Sequence, residues 1–190
     1  MSPVAFALLL AVAAIACFAW SVFGVFRSGE STTSGYITLK WTVVTTWAIQ
    51  IYLLLRADLS FDSARYWIGS LMVAISLVLF WHCVQVTRER KLSLAFSKDM
   101  PKHLYSAGAY GYVRHPFYLS YLLAYYGMAL TAHDILLYLA AVAMTILYYE
   151  AARFEERKFE GSDLAPHYAE YRRCAGMFLP RVRRLTNRCE

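Results

Sequence analysis

Arg114, His115, Pro116, Phe117 and Tyr118 stand where a basic stretch meets an apolar one, and Glu155 and Glu156 follow the next apolar stretch. Pro116 suits the first turn of a helix, where its missing N–H has no intrahelical partner to lose and its φ is already helical. His115 then falls near the N-cap, with Arg114 just outside. A helix N-terminus presents unpaired N–H groups and partial positive charge, an anion site that Arg114 would reinforce. Glu155 or Glu156 offers the opposite, a seat for a cation. Adjacent helical positions lie about 100° apart, so the two carboxylates are not expected to face one pocket squarely. One would take a ligand while the other pairs with Arg153 or Lys158. Taken alone, the Glu pair is more simply read as a solvated helix end with weak ion pairs.

The elements that must bring these motifs together are apolar. Of 190 residues, 59% are hydrophobic and 17% charged, and the mean hydropathy is +0.39. Soluble domains carry about 25% charged residues. The composition therefore points to a lipid solvent and a single domain over residues 1–190. Apolar stretches cover residues 3–26, 36–55, 66–86, 116–130 and 135–152. The first has no basic residues ahead of it, which argues against a cleaved signal peptide. The fold class expected is all-α: a polytopic integral membrane protein with about five transmembrane helices. Residues 1–100 hold the first three and the start of a polar loop, residues 101–180 the motifs, and residues 181–190 a basic tail. The short break at residues 131–134 makes the last two helices a helical hairpin, and residues 161–190 a cap over its end. The hairpin returns the chain to the face it left, so the Arg-His-Pro segment and the Glu pair become neighbours. Tyr110, Tyr112, Phe117, Tyr118, Tyr148 and Tyr149 lie between them, able to sandwich a flat ring or contact a cation. Tyrosines at helix ends also form interfacial belts.

Charge sets the orientation. Arg88, Arg90, Lys91, Lys98, Lys102 and Arg114 precede the fourth stretch, and Arg153, Arg157, Lys158, Arg172, Arg173, Arg181, Arg183, Arg184 and Arg188 follow the fifth. With five spans these groups share a side with Arg27 and Lys40, leaving Arg56 and Arg65 opposite. The positive-inside rule then puts the N-terminus outside and the C-terminus in the cytoplasm. Basic residues next to a membrane are attracted to anionic lipid, so the net charge of +6 calls for the lipid bilayer as partner and for no nucleic acid. Cys17, Cys83, Cys174 and Cys189 fit no disulfide framework or zinc pattern and are expected to be unpaired thiols, with no metal.

The ordered set Gly108-x-Tyr110-x-x-x-Arg114-His115-Pro116-x-Tyr118, Glu155-Glu156, Tyr168-x-x-Tyr171-Arg172-Arg173 and Pro180 resembles the isoprenylcysteine carboxyl methyltransferase family, whose wider superfamily includes the phospholipid methyltransferases. The resemblance covers residues 102–180. It implies an integral-membrane enzyme that uses S-adenosylmethionine and releases S-adenosylhomocysteine, with the cofactor under the cytoplasmic ends of the last two helices. It maps cofactor contacts onto Lys102, His103, Leu104, Tyr105, Tyr110, His115, Pro116, Phe117, Tyr118 and Glu155. Arg114 and Glu156 are the candidate catalytic residues. Eukaryotic carboxyl methyltransferases of this family hold an Arg four residues before the first Glu; here that position is Ala151. Arg153, the nearest Arg and the candidate substrate contact, points about 200° around the helix rather than 400°. Methyl transfer stands, and a prenylcysteine carboxylate becomes one lipophilic acceptor among several, beside a phospholipid amine and a thiol. Five spans resemble the prokaryotic members, which implies an inner-membrane location.

The methyl transfer so implied is an in-line displacement at a sulfonium methyl, in which the protein aligns the reactants, excludes water and holds charges in place. A carboxylate acceptor needs no base; an amine or thiol would call on Glu156 or His103. Two rivals remain. NADPH-dependent sterol reductases carry a similar Arg-His-Pro-x-Tyr segment but usually with Asn at the position of Phe117. A membrane scaffold would explain the spans but not the ordered motifs, and the chain shows no intramembrane charge that marks a transport pathway.

Overall fold

Ser2 starts the first helix: its hydroxyl accepts the Ala5 N–H at 3.2 Å, and Pro3 takes the first helical position. The computed structural model describes residues 1–27, 33–88, 92–93 and 95–181. In it α1 (Pro3–Gly24) leads through β1 (Phe26–Arg27) to α2 (Ser34–Arg56) and α3 (Ala64–Thr87). β2 (Leu92–Ser93) and a 3-10 turn (Gly108–Gly111) precede α4 (Pro116–Ala132), α5 (Ile135–Glu160) and α6 (Ala165–Cys174). Among the described residues the fold is helical apart from the two short strands, which pair in parallel as Phe26 with Leu92 and Arg27 with Ser93. That pairing ties the first connection to the loop after α3.

Caps punctuate the bundle where the sequence places them. Thr33 accepts the Tyr36 N–H at the start of α2, and Asp134 accepts the Leu136 N–H at 2.8 Å at the start of α5. α4 ends at His133, whose φ of 53° is left-handed. The expected break at residues 131–134 thus shrinks to His133 and Asp134.

Among the described residues four helices, α1, α2, α3 and α5, are long and apolar enough to cross a membrane, and the chain is an integral membrane protein. The fifth span expected from the sequence falls on α4, which is shorter than these four. Its 17 residues reach about 26 Å, short of the roughly 30 Å of a hydrocarbon core. The reason lies in its surroundings: α4 contacts α1, α2, α3 and α5, and none of its residues is exposed. By contrast Val78 of α3, Leu71 of α3 and Ile146 of α5 are 72%, 59% and 59% exposed, apolar side chains turned toward lipid. α4 is the core against which the others pack.

Its closest seam is with α3. A Cβ added at Gly69 would stand 2.4 Å from the Gly127 carbonyl oxygen, and one at Gly127 would stand 2.7 Å from that of Gly69. The two backbones are in contact, as small residues permit between membrane helices. Gly69→Leu should therefore cost about 3 kcal/mol, because the obstructing atoms include the Gly127 carbonyl oxygen and the Thr131 nitrogen, backbone atoms that cannot swing away. Gly161→Ala, whose nearest atoms lie at 3.7 and 3.9 Å, should change little. Thermal melts of the two detergent-solubilised variants check this, and equal melting points would contradict it.

Two further expectations change. α5 runs eight residues past the apolar stretch that ends at residue 152, to Glu160, so Glu155 and Glu156 are part of the helix rather than beyond it. Residues 153–160 are mostly Arg, Glu and Lys, good helix formers with low hydropathy, and an apolar pattern stops where the helix leaves lipid while the helix itself continues. Cys17 and Cys83 are free thiols, but Cys174 carries a disulfide bond, against the expectation of four unpaired cysteines. Cys174 closes a helix of the polar tail rather than lying in an unstructured stretch, which composition did not reveal. Cys189 and the tail basics Arg183, Arg184 and Arg188 lie outside the described residues, as do Arg90 and Lys91.

Candidate active site

The start of α4 and the end of α5 meet, so contacts pair low numbers on α4 with high numbers on α5. Tyr126 bonds Thr145 at 3.1 Å, Tyr118 stacks on Tyr148 with ring centroids 5.0 Å apart, and the Tyr118 hydroxyl donates to Glu155. Pro116 occupies the first helical position and His115 is the N-cap, its side chain making no capping bond. That leaves the imidazole available to other partners.

It finds two. His115 Nε2 lies 3.2 Å from a Glu156 oxygen, and Nδ1 lies 3.6 Å from a Glu155 oxygen. Opposite nitrogens of a single imidazole thus meet two carboxylates that point different ways from the helix. Burial pulls the His115 pKa down, but hydrogen bonding and charge from Glu155 and Glu156 outweigh it and hold the group above its ordinary value. A raised folded-state value means that protonation stabilises the fold. The contribution is complete below about pH 6.5, the unfolded value, and is lost as pH rises through the folded one. Melting temperature should therefore fall between neutral and mildly alkaline pH, and His115→Gln should flatten that decline. A wild-type profile flat over the window would contradict it.

Arg114 is engaged differently from the expectation of a free anion-binding charge. Its side chain is 6% exposed and that of Glu156 4%; Nε and Nη2 both reach Glu156 Oε1 at 2.8 Å, and Nη1 donates to the Ala175 carbonyl at 2.6 Å. The pair is a clamp between the start of α4, the end of α5 and the segment after α6. Glu156 pairs with neither Arg153 nor Lys158: Arg153 is exposed, and Lys158 Nζ donates to the carbonyls of Ser97 and Asp99 at 2.9 and 3.0 Å. Lys158 thus anchors the front of the loop that carries Lys102, His103, Leu104 and Tyr105.

The segment 175–178 runs beside the Arg-His-Pro segment. Arg114 N–H donates to Gly176 O at 2.7 Å, Gly176 N–H to Tyr112 O at 3.0 Å and His115 N–H to Met177 O at 3.2 Å. Gly176 must be glycine for space, since a Cβ there would fall 1.8 Å from the Leu179 carbonyl oxygen. Phe178 closes on His115 edge-on at 6.1 Å. Tyr171 donates to the Tyr110 carbonyl at 2.6 Å. The sequence offered residues 161–190 as a cap without naming these contacts; the three-residue spacing of Tyr168 and Tyr171 on one helix face is the signal that could have suggested them.

The candidate residues separate into three groups. His115, Tyr118, Glu155 and Glu156 come together with Arg114. The rings of His115 and Tyr118 stack at 5.6 Å and 11°, and Tyr148 extends the stack. Tyr110 is buried with its ring 5.8 Å from that of Tyr105, in a loop positioned by His82, whose Nε2 accepts the Ala109 N–H at 3.2 Å. Lys102 and His103 are exposed, and Leu104 and Tyr105 half-buried. Phe117 and Arg153 stand apart. Phe117 packs into the core against Phe26 and Phe80, so its side chain faces the bundle. Arg153 makes no part of the cluster. Tyr149 is 43% exposed while Tyr148 is 5% exposed, which assigns the aromatic wall to Tyr148. Ala151 is fully buried. Among the described residues no group of three or more His, Cys, Asp or Glu could hold a metal ion.

This arrangement juxtaposes a partly exposed carboxylate, Glu155 at 23%, with a stacked aromatic wall and a helix N-terminus. It can hold a small molecule that carries both a cation and an anion. No curated protein matches the chain. A family model described as phospholipid methyltransferase matches residues 64–162, just over half of the 190 residues, and these contain α3, α4, α5 and every member of the buried charge cluster. On that match, the chain belongs to the phospholipid methyltransferase family.

Proposed function

We propose that the protein is an S-adenosylmethionine-dependent membrane methyltransferase acting on a lipophilic acceptor. The observation that carries the reading is the cluster of Arg114, His115, Tyr118, Glu155 and Glu156 inside the family-matched stretch. Its donor set suits the cofactor. Glu155 would take an ammonium, the N-terminus of α4 a carboxylate, and the wall of His115, Tyr118 and Tyr148 a purine or sulfonium. Tyr105 and Tyr110 would line the other side, with Lys102, His103 and Leu104 at the rim. When bound, the cofactor supplies a methyl group on a sulfonium sulfur. The residues of this chain bind, orient and exclude water. Arg114 and Glu156 act as positioning residues: clamped to each other, they set the angle at which His115 and Glu155 face the site.

Among acceptors, a phospholipid amine is favoured over a prenylcysteine carboxylate. The family description supports it, and the fully buried Ala151 leaves no guanidinium where carboxylate-specific members hold one. Topologically, α4 serves as a fifth crossing that completes a hairpin with α5; enclosed by four helices, it need not match the lipid thickness. The N-terminus then lies outside and the site, with the α6 cap, faces the cytoplasm, as in a prokaryotic inner membrane. Arg88, Lys98, Lys102, Arg157 and Lys158 on that side support the orientation. A labelled-methyl assay on proteoliposomes tests the acceptor. Label should enter phosphatidylethanolamine; label entering only a prenylated cysteine or a small thiol would reassign the acceptor class, and no transfer to any of these would contradict the reading.

A further inference from the structure

His82 is the only Lys, Arg, His, Asp or Glu between Arg65 and Arg88, the residues that flank the apolar run of α3. It is exposed, one turn after Val78 and beside Trp81, both exposed as well. An imidazole thus stands where the helix otherwise shows apolar groups to lipid. Ionisable side chains at such positions are costly, and where they occur they have a partner and a task. The partner here is the turn before α4: His82 Nε2 accepts the Ala109 N–H at 3.2 Å. A second contact is steric. A Cβ added at Gly108, whose φ is 58°, would stand 2.6 Å from His82 Nε2 and 3.0 Å from Val86 Cγ2. Glycine at that position lets the turn close onto the imidazole.

Ala109 is held on both sides of its α-carbon. While its N–H goes to His82, its carbonyl accepts the N–H groups of Tyr112 and Val113, each at 3.1 Å. Tyr110 comes next in the chain, buried, with its carbonyl taken by the Tyr171 hydroxyl at 2.6 Å. Arg114 and His115 follow Val113 directly. The imidazole therefore sets the orientation of the peptide from which both Tyr110 and the Arg-His-Pro segment hang.

We propose that His82 is a positioning residue for the methyl-donor site: by accepting the Ala109 N–H it fixes the turn that aims Tyr110 at the cofactor. It acts as a hydrogen-bond acceptor and not through bulk. The inference rests on the cofactor reading given under the proposed function. An amide oxygen at the same reach can replace the imidazole nitrogen, whereas an alkyl group cannot. Glutamine has that reach, because its Oε1 is separated from Cα by as many bonds as the imidazole Nε2.

Three measurements on the full-length chain in detergent test it, for wild type, His82→Leu and His82→Gln. They are hydrogen exchange over residues 105–113, calorimetric titration with S-adenosylhomocysteine, and thermal melts. His82→Leu should speed exchange of the Ala109 amide about tenfold. It should weaken S-adenosylhomocysteine binding roughly fivefold, the equivalent of one neutral hydrogen bond. Its melting temperature should not fall, since Leu suits a lipid-facing position better than His. His82→Gln should bring exchange and affinity back to within about twofold of wild type. Wild-type exchange and affinity in His82→Leu would overturn the proposal, and so would equal impairment in His82→Gln. A melting temperature that falls in step with affinity, unrelieved by Gln, would make the role structural and overturn it too. If the wild type does not bind S-adenosylhomocysteine, the cofactor reading fails, and the exchange comparison alone then decides whether His82 holds the turn.

Discussion

Glu156→Gln should destabilise the protein by about 3–5 kcal/mol, because it leaves the Arg114 guanidinium buried without its counter-charge. The melting temperature should fall by roughly 6–20 °C for a chain of this size. Three contacts make the effect large. Glu156 Oε1 receives Arg114 Nε and Nη2 and lies within 3.2 Å of His115 Nε2, with its side chain 4% exposed. An exposed pair such as Arg172 with Glu160, whose side chains are 43% and 51% exposed, should cost no more than about 1 kcal/mol when broken. Replacing both members of the buried pair, Arg114→Met with Glu156→Leu, should recover most of the loss in stability while leaving ligand binding impaired. Melts of the single and double variants check the claim. A Glu156→Gln variant as stable as wild type would show that the cluster is not the clamp that the contacts describe.

Glu155→Gln should behave in the opposite way. Its carboxylate accepts from Tyr118 and faces His115 Nδ1, but it retains access to solvent. Stability should change by about 1 kcal/mol or less. Affinity for S-adenosylhomocysteine should fall about tenfold to a hundredfold, the equivalent of one charge-assisted hydrogen bond. His115→Ala should also weaken binding by removing part of the aromatic wall, and exposed Arg153→Gln should not. The separation between Glu155 and Glu156 is the informative part: neighbouring carboxylates, one governing stability and the other affinity. Equal losses of stability in both variants would contradict it.

Local chemistry explains what could be read beforehand. Pro116 and Asp134 mark helix starts because a missing N–H and a capping carboxylate act within a few residues. The apolar stretches mark α1, α2, α3 and α5 because lipid imposes length and composition together. Partners across the fold are another matter. Arg114 and Glu156 are 42 residues apart in sequence, and nothing local says that the guanidinium turns inward to a carboxylate rather than outward to an anion. Phe117 misleads for a related reason. In a helix buried on every side, 3.6-residue periodicity does not say which face lines a site and which faces the core. α6 was illegible as a helix because its inner stripe is Ala, Tyr and Arg rather than Leu and Val. The segment 175–178 depends on the space at Gly176, which only the fold defines.

The central claim is that the cluster at the start of α4 and the end of α5 holds a zwitterionic sulfonium cofactor. Calorimetric titration of the purified wild-type protein with S-adenosylhomocysteine tests it most directly. The account predicts saturable binding to one site per chain, weakened in Glu155→Gln and unchanged in Arg153→Gln. Absence of binding, with NADPH saturating the protein instead, would contradict it.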